Sequence, residues 1–301
     1  MIGVLLMAYG GPNNLDEVES YLLDVRGFRP TAPEIIQEVR ERYREIGGRS
    51  PILEQTRAQA EALQAALGER FRVLVGMRHW HPYIKDTLTE MRAAGIEKIV
   101  GLVMAPQYSR MSIGAYYKKI DEAAAPLEIA PIERWHLLPG YLDALAGRVR
   151  VALERFPAEA RAEVPVIFTA HSLPERIREL GDPYPDELRA TVAALMTRLG
   201  NQPHSFAFQS AAISNEPWLG PDAGEIIARY AAEGKKQILL APIGFVCEHV
   251  EVLYDVDIVF KKLAESLGVQ LERIEMLNTA PQMIDGLAQL IQQTAREKNW
   301  L

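Results

Sequence analysis

The 301-residue sequence predicts an α/β fold in which parallel sheets carry helices on both faces. Short apolar runs alternate with longer amphipathic segments along the whole chain. Most of the apolar runs lack the polar alternation of a strand that has one face in water, so they are typical of strands buried on both faces. Buried strands alternating with helices form parallel sheets with crossover helices. The length favours two domains.

The elements follow from this alternation. The predicted strands are the apolar runs at 2–8, 72–77, 98–105, 129–135, 164–169, 205–209, 237–243 and 270–274. The predicted helices are the amphipathic segments at 15–25, 33–46, 52–67, 82–94, 142–156, 185–199, 223–232, 250–267 and 283–297.

The two halves of the chain resemble each other, which predicts an internal duplication. VLLMAYGGP (residues 4–12) matches VIFTAHSLP (166–174) in register, and KIVGLVMAP (98–106) resembles KQILLAPIGF (236–245). Tyr9 and His171 then occupy equivalent strand ends. Because open α/β sheets bind ligands at the carboxyl ends of their strands, we expect the two side chains to face each other across an interdomain cleft.

Composition excludes several classes of function. The formal charge of −7 argues against nucleic-acid binding, which needs a basic surface. The single cysteine, Cys247, excludes a disulfide framework, a four-cysteine zinc site and an iron–sulfur cluster built by this chain alone. The first residues, MIGVLLMAYGG, lack the basic start of a signal peptide, and no apolar run approaches the ~18 residues of a membrane span. We therefore expect a soluble cytoplasmic protein without a transmembrane segment.

Chemically active residues follow two of the strands. Tyr9 precedes Gly10 and Gly11, but neither a dinucleotide fingerprint nor a P-loop lysine follows, so a nucleotide site is poorly supported. His171 ends the other strand, where a histidine alone is more often satisfied by a backbone carbonyl than functional. The adjacent Ser172 does not form a nucleophile pair with it, because neighbouring side chains on a strand point apart.

A third site candidate lies after residue 243, in GFVCEHVEVLYDVD. If a helix begins near His249, Glu251 and Asp255 are four residues apart and share one face, whereas Asp257 lies off it. Acids in a first turn also suit the positive end of a helix, which is the alternative explanation. His171 and Glu251 together offer an N/O ligand set suited to ferrous iron. Two protein ligands would hold a metal loosely, as an enzyme that transfers its metal requires.

The arginine-rich segment RERYREIGGRSP (40–51) has two explanations. A solvated helix of mixed charge is the more common one. The glycine stop and the following Arg49-Ser50-Pro51 also form a loop that could bind carboxylates through guanidinium and hydroxyl groups.

Seven segments together resemble the signature segments of the ferrochelatase family, in the family's order and over nearly the whole chain. They are VLLMAYGGP, RYREIGGRSPI, GLVMAPQYS, FTAHSLPERI, GDPYP, EPWLGPD and IGFVCEHVEVLYDVD.

The resemblance implies two Rossmann-like domains, predicted here at 1–140 and 141–301, with the last helix able to pack back across the domain interface. It implies an enzyme of heme biosynthesis that inserts Fe²⁺ into a porphyrin bound between the domains. His171 and Glu251 correspond to the family's central pair, which binds metal and accepts pyrrole protons, and Asp255 to a possible outer metal site. No resident cofactor is required, since Fe²⁺ is a substrate, and no iron–sulfur cluster is expected.

The tyrosine of MAYG is similar to that of the branch acting on coproporphyrin III, where it can be an axial oxygen ligand to iron. Tyr9 therefore favours coproporphyrin III as substrate and coproheme as product. The branch's porphyrin contacts correspond here to Arg26, Arg42, Tyr43, Ser50, Tyr116 and, more weakly, Trp218.

Three positions depart from the family pattern, and three other functions are compatible with the sequence. Gly11 stands where many members have Thr, Val259 where many have a further carboxylate, and Leu22 where some have an aromatic residue. The alternatives are a ferrochelatase acting on protoporphyrin IX, a cobalt chelatase of corrinoid synthesis and a non-enzymatic coproheme carrier. Transient contact with neighbouring enzymes of the heme pathway is also expected.

Overall fold

A computed structural model of the chain describes residues 1–211 and 216–301. Its strands form two separate four-stranded sheets, and all the strand pairs are parallel. The predicted α/β class is therefore confirmed.

The first sheet has the order β2-β1-β3-β4. Its strands are β1 (Ile2–Ala8), β2 (Phe71–Met77), β3 (Lys98–Val103) and β4 (Glu128–Ile132). The helices between them are α1 (Val18–Val25), α2 (Pro33–Glu45), α3 (Ile52–Leu67), α4 (Ile84–Ala93) and α5 (Ile113–Asp121). Every residue of β1 is buried, which explains its unbroken apolar sequence.

The second sheet has the order β6-β5-β7-β8. Its strands are β5 (Val166–His171), β6 (His204–Gln209), β7 (Gln237–Pro242) and β8 (Gln270–Arg273). The associated helices are α6 (Pro139–Leu153), α7 (Tyr184–Leu199), α8 (Ala223–Ala232), a π-helix at Glu251–Phe260 and α9 (Lys261–Ser266). The chain ends with α10 (Pro281–Glu297).

The two sheets share one topology, so β1 is equivalent to β5 and β3 to β7. These are the strands whose sequences resemble each other. Tyr9 directly follows β1, and His171 is the last residue of β5. The predicted equivalence of the two strand ends is therefore present in the topology.

The described residues divide into two compact units. The first contains Met1–Trp135, Cys247–Val250 and Asn278–Leu301, and the second contains His136–Val246 and Glu251–Leu277. In the first unit, α10 packs on α3, and the Gln59 amide of α3 donates to the Asn278 carbonyl (2.9 Å).

Each unit has its own apolar core. In the first, Leu5 and Met7 of β1 pack with Leu88 and Met91 of α4. In the second, Ile167 of β5 and Leu240 of β7 pack with residues of α8, the π-helix and α9. Because helices cover both faces of each sheet, polar side chains can reach solvent at the strand ends. Ligand binding is therefore expected at the carboxyl ends of the strands in each unit.

The structure differs from the predicted helices at two places. Helix α5 was not predicted, although Ile113, Tyr116 and Ile120 recur at helical spacing and are buried. The segment predicted as one α-helix at 250–267 is instead a π-helix followed by α9. A π-helix closes hydrogen bonds between residues five apart; it is rare, and it occurs frequently at functional sites. Sequence periodicity does not separate it from an α-helix.

The edge strand β2 is capped by side chains. Gln64 of α3 donates to the Phe71 carbonyl (3.0 Å) and accepts from the Val73 amide (2.9 Å). The Thr87 hydroxyl of α4 donates to the Val75 carbonyl (2.8 Å).

Among the described helices, none combines the length and the apolar character needed to cross a membrane.

Candidate active site

His171 is held in one orientation at the end of β5. Its Nδ1 forms a short hydrogen bond with the Ser172 carbonyl, and its own carbonyl accepts from the Tyr184 hydroxyl (3.0 Å). Since a carbonyl only accepts, Nδ1 carries the proton in the neutral ring, and Nε2 presents its lone pair. The backbone-carbonyl explanation and the functional explanation of His171 are therefore compatible, because each uses a different nitrogen.

Glu251 approaches the other nitrogen of His171. It is the first residue of the π-helix, and its Oε1 lies 3.6 Å from His171 Nε2. Both side chains are about one-third exposed, at 30% and 33%. Two ligands bound to one divalent metal at about 2.1 Å in a tetrahedral arrangement are separated by roughly 3.4 Å. The observed separation of 3.6 Å is close to that value, and it is also that of an ordinary imidazole–carboxylate pair.

A glycine permits this end of the second sheet to close. Gly244 follows β7, and a Cβ there would lie 2.7 Å from Ala170 Cβ and 3.0 Å from Ala170 Cα. Real Cβ atoms do not approach so closely, and the Ala170 backbone leads directly into His171. Only glycine fits at this position without moving the histidine.

The two further acids of the π-helix have different surroundings. Asp255 accepts a short hydrogen bond from the Ser210 hydroxyl. Asp257 forms a bidentate pair with Arg273 of β8, at 2.7 and 2.8 Å. Asp257 therefore ties the helix to the sheet, in keeping with its predicted position off the face that carries Glu251.

Aromatic side chains surround the pair. The Trp218 ring centroid lies 6.4 Å from that of His171. Tyr184 is buried and donates to the His171 carbonyl, and burial together with the Glu251 charge raises the pKa of the Tyr184 phenol well above its ordinary value. Tyr184 therefore stays protonated and remains a donor to the His171 carbonyl.

In the first unit, Tyr9 lies among residues that follow β2. Its ring centroid is 4.6 Å from that of His79, and the Arg78 guanidinium carbon is 5.7 Å from it. His79 Nδ1 is 2.7 Å from Asp24 Oδ1, which fixes the imidazole beside the phenol. Burial lowers the pKa of His79, and the hydrogen bond with Asp24 acts in the opposite direction. The Arg78 guanidinium carbon also lies 5.4 Å from the ring centroid of Tyr116. Two predicted site residues, Tyr9 and Tyr116, therefore contact the same arginine.

The remaining predicted porphyrin contacts lie in the first unit. Arg26 is exposed at the end of α1, and Arg42 pairs with Glu38 on the exposed side of α2. Ion pairs at the surface contribute little to the free energy of unfolding, so a ligand carboxylate could replace Glu38 as the partner of Arg42 with little loss of stability. Tyr43 is buried and forms a T-shaped pair with Tyr21, at a centroid distance of 6.5 Å.

Ser50 explains the departure at Gly11. The Ser50 amide donates to the Pro12 carbonyl (2.8 Å), and a Cβ on Gly11 would lie 2.6 Å from both Cβ and Oγ of Ser50. A threonine at position 11 therefore requires Ser50 to move. The glycine and the serine form one compact corner.

Several neighbours of the site were not predicted. Arg78 and His79 follow β2, and Gln209 and Ser210 lie at the end of β6. Each pair occupies the same carboxyl edge of its sheet as Tyr9 or His171, so the rule that ligands bind at the carboxyl ends of strands would have found them.

Cys247 is buried against Ala8, Ile52 and Met77, and burial raises its pKa to about 12, so its thiol is unreactive. Within 1–211 and 216–301, no group of three or more His, Cys, Asp or Glu side chains is placed to hold a metal.

Comparison with known proteins identifies the family. The sequence model described as Ferrochelatase matches residues 1–295. The chain belongs to the ferrochelatase family. Ferrochelatases insert a metal into a porphyrin, so the chain is an enzyme of heme biosynthesis rather than a passive carrier.

Relatives cover this ferrochelatase almost completely. A ferrochelatase of Herpetosiphon aurantiacus is 44% identical over 96% of this chain and 97% of its own length. A coproporphyrin III ferrochelatase of Geobacillus kaustophilus is 39% identical over 96% and 94%. The solved structure of SirB from Bacillus subtilis with Fe³⁺ has a TM-score of 0.66 at 10% identity, covering 99% of this chain and 97% of that one. This last likeness supports the fold alone.

We expect Gly244→Ala to impair this ferrochelatase by displacing the end of β5. The added methyl meets backbone atoms, so the variant should lose about 1–3 kcal/mol of stability and much of its turnover. Thermal unfolding and initial rates measure both effects. Gly147→Ala is the matched control, because a Cβ there has no neighbour within 4 Å. Full activity of Gly244→Ala would show that the close approach does not constrain His171.

Proposed function

We propose that this ferrochelatase inserts Fe²⁺ into coproporphyrin III to form coproheme. The approach of His171 Nε2 to Glu251 Oε1 carries the metal-insertion part of the proposal. Tyr9, beside Arg78 and His79, carries the choice of porphyrin. The similarity to a coproporphyrin III ferrochelatase supports that choice. Protoporphyrin IX is the alternative substrate, because the 44% identical relative is named only as a ferrochelatase, without its porphyrin.

Metal insertion requires two pyrrole protons to leave as the metal enters. The lone pair on His171 Nε2 accepts one proton, because the other nitrogen already donates to a carbonyl, and a Glu251 carboxylate oxygen accepts the second once the metal has passed to the porphyrin. The Glu251 carboxylate, 3.6 Å away, offsets the positive charge that the imidazole gains and offers an oxygen ligand to Fe²⁺. Neither residue holds the metal in a closed site, so the metal can be passed on.

The other predicted residues have supporting roles in this proposal. Arg26, Arg42 and Ser50 bind propionate groups, and Tyr43, Tyr116 and Trp218 contact the macrocycle. Tyr9 supplies an axial oxygen to the product iron, and Asp255 holds an outer metal position on the way to Glu251. Fe²⁺ is a substrate, and no resident cofactor or iron–sulfur cluster takes part. The proposal places the enzyme in the cytoplasm, in transient contact with neighbouring enzymes of the pathway.

His171→Ala should lower iron insertion by about 10²–10⁴-fold, because it removes the proton acceptor. Porphyrin binding, measured by quenching of protein fluorescence, should largely survive. His204→Ala is the matched control, since His204 is exposed on β6 and its Nδ1 bonds only locally, to the Gln202 carbonyl. Wild-type rates in His171→Ala under anaerobic Fe²⁺ would refute the proposed role.

The substrate is tested by comparing kcat/KM for coproporphyrin III and protoporphyrin IX under identical anaerobic conditions. We expect at least a tenfold preference for coproporphyrin III, since its additional propionates offer charged partners for Arg26 and Arg42, each hydrogen bond to a charged group contributing about 1.5–3 kcal/mol. A preference for protoporphyrin IX would refute this part of the proposal and leave metal insertion unaffected.

Tyr9→Phe should change the visible spectrum of the enzyme–coproheme complex more than the rate of insertion. Phenylalanine keeps the ring against His79 but lacks the oxygen that would bind iron. Absorption spectra of the two complexes at equal occupancy make the comparison. Identical spectra would show that Tyr9 is not a ligand.

A further inference from the structure

We propose that Gln209, supported by Thr169, is a positioning residue that sets the separation of His171 and Glu251. The inference rests on the proposed roles of that pair. It assigns a task to a buried amide that touches neither metal nor porphyrin in the proposed mechanism.

Gln209 connects the two elements that carry the pair. It is the last residue of β6, has no exposed surface, and lies opposite His171 in the strand register. Its Nε2 donates to the Glu251 carbonyl (3.0 Å), and its Oε1 accepts from the Thr169 hydroxyl (2.7 Å). Its backbone carbonyl accepts from the Ser172 amide (2.8 Å). One residue therefore contacts both β5, which carries the histidine, and the first residue of the π-helix, which carries the acid.

These contacts require an amide. The Glu251 carbonyl can only accept, so Nε2 must face it, and the oxygen then faces Thr169. Thr169 is also fully buried, and its hydroxyl donates to that oxygen and so fixes which way the amide is turned. A glutamate in place of Gln209 could accept from Thr169 but, as a carboxylate, could not donate to Glu251. Leucine would fill the space and make neither bond.

The neighbouring residue adds a second fixed point on the same helix. Ser210 donates to the Asp255 carboxylate, four residues beyond Glu251. Two contacts at different points on a helix determine its rotation as well as its height above the sheet. The end of β6 thereby aims the Glu251 side chain at His171, and displacements of about 0.5 Å are enough to degrade such a site.

The test compares Gln209→Leu and Gln209→Glu with the wild-type enzyme. We expect both to raise the KM for Fe²⁺ and lower kcat, together by about 10–100-fold in kcat/KM, as for other residues that orient metal ligands. The dissociation constant of coproporphyrin III, measured by fluorescence without iron, should stay within about twofold, since the residues proposed to bind its carboxylates, Arg26, Arg42 and Ser50, are untouched. Rates are normalised to folded protein by active-site titration.

Thr169 provides a second pair of variants should Gln209 variants fold poorly. Thr169→Val removes the hydroxyl at nearly constant shape and should reproduce the rise in the Fe²⁺ KM. Thr169→Ser keeps the hydroxyl and should rescue it. A loss of thermal stability in Thr169→Val with an unchanged Fe²⁺ KM would mean that the contact is merely structural and would overturn the inference.

Glu251→Ala separates this inference from the proposed function. Normal turnover in Glu251→Ala overturns the proposed role of the pair, and the inference with it. Strong loss in Glu251→Ala, combined with wild-type kcat and Fe²⁺ KM in Gln209→Leu and Thr169→Val, overturns the inference alone.

Discussion

The separation of 3.6 Å between one imidazole nitrogen and one carboxylate oxygen is the constraint on which the rest of the site depends. His171 and Glu251 are 80 positions apart, so nothing local in the chain sets their distance. It is set by the end of β5, which Gly244 allows to pack closely, and by the first turn of the π-helix, which hydrogen bonds tie to the sheet. The tautomer is set separately, by the carbonyl of Ser172. Distance and proton position are thus controlled by different groups.

The same sheet topology has been given different chemistry in the two units. In each, the residues of interest emerge at the carboxyl ends of neighbouring parallel strands, where polar side chains escape the buried sheet. The first unit places a phenol, a guanidinium and an imidazole there. The second places an imidazole and two carboxylates. In the proposed function, the first set binds the anionic porphyrin, and the second binds Fe²⁺ and accepts protons.

Much of the fold was predictable because a strand buried on both faces has a continuous apolar sequence, which distinguishes it from a strand with one face in water. β1 is such a strand, and its prediction agrees with the structure at both ends. The π-helix was not predictable, because its buried Val252, Val256 and Phe260 also suit an α-helix, and the contacts that accompany it come from β6 and β8.

At the site, Tyr9 and His171 could be found from motif and topology. Gln209 could not be assigned a task, because the meaning of a buried amide depends on which carbonyl it meets in three dimensions. In the sequence, Gly11 is only a departure from the threonine of many family members, and the position of Ser50 shows why the residue is small in this chain.

The capping of β2 has a consequence for behaviour in concentrated solution. A bare outer strand offers its amides and carbonyls to any other extended chain, and such pairing is a common route to aggregates. Here the Gln64 carboxamide and the Thr87 hydroxyl already occupy several of those groups, and both residues sit on helices that are fixed against the sheet. An extended segment of another copy therefore cannot pair with these groups of β2 without displacing the two side chains. Side chains that take no part in the chemistry thus oppose strand addition at this edge of the sheet.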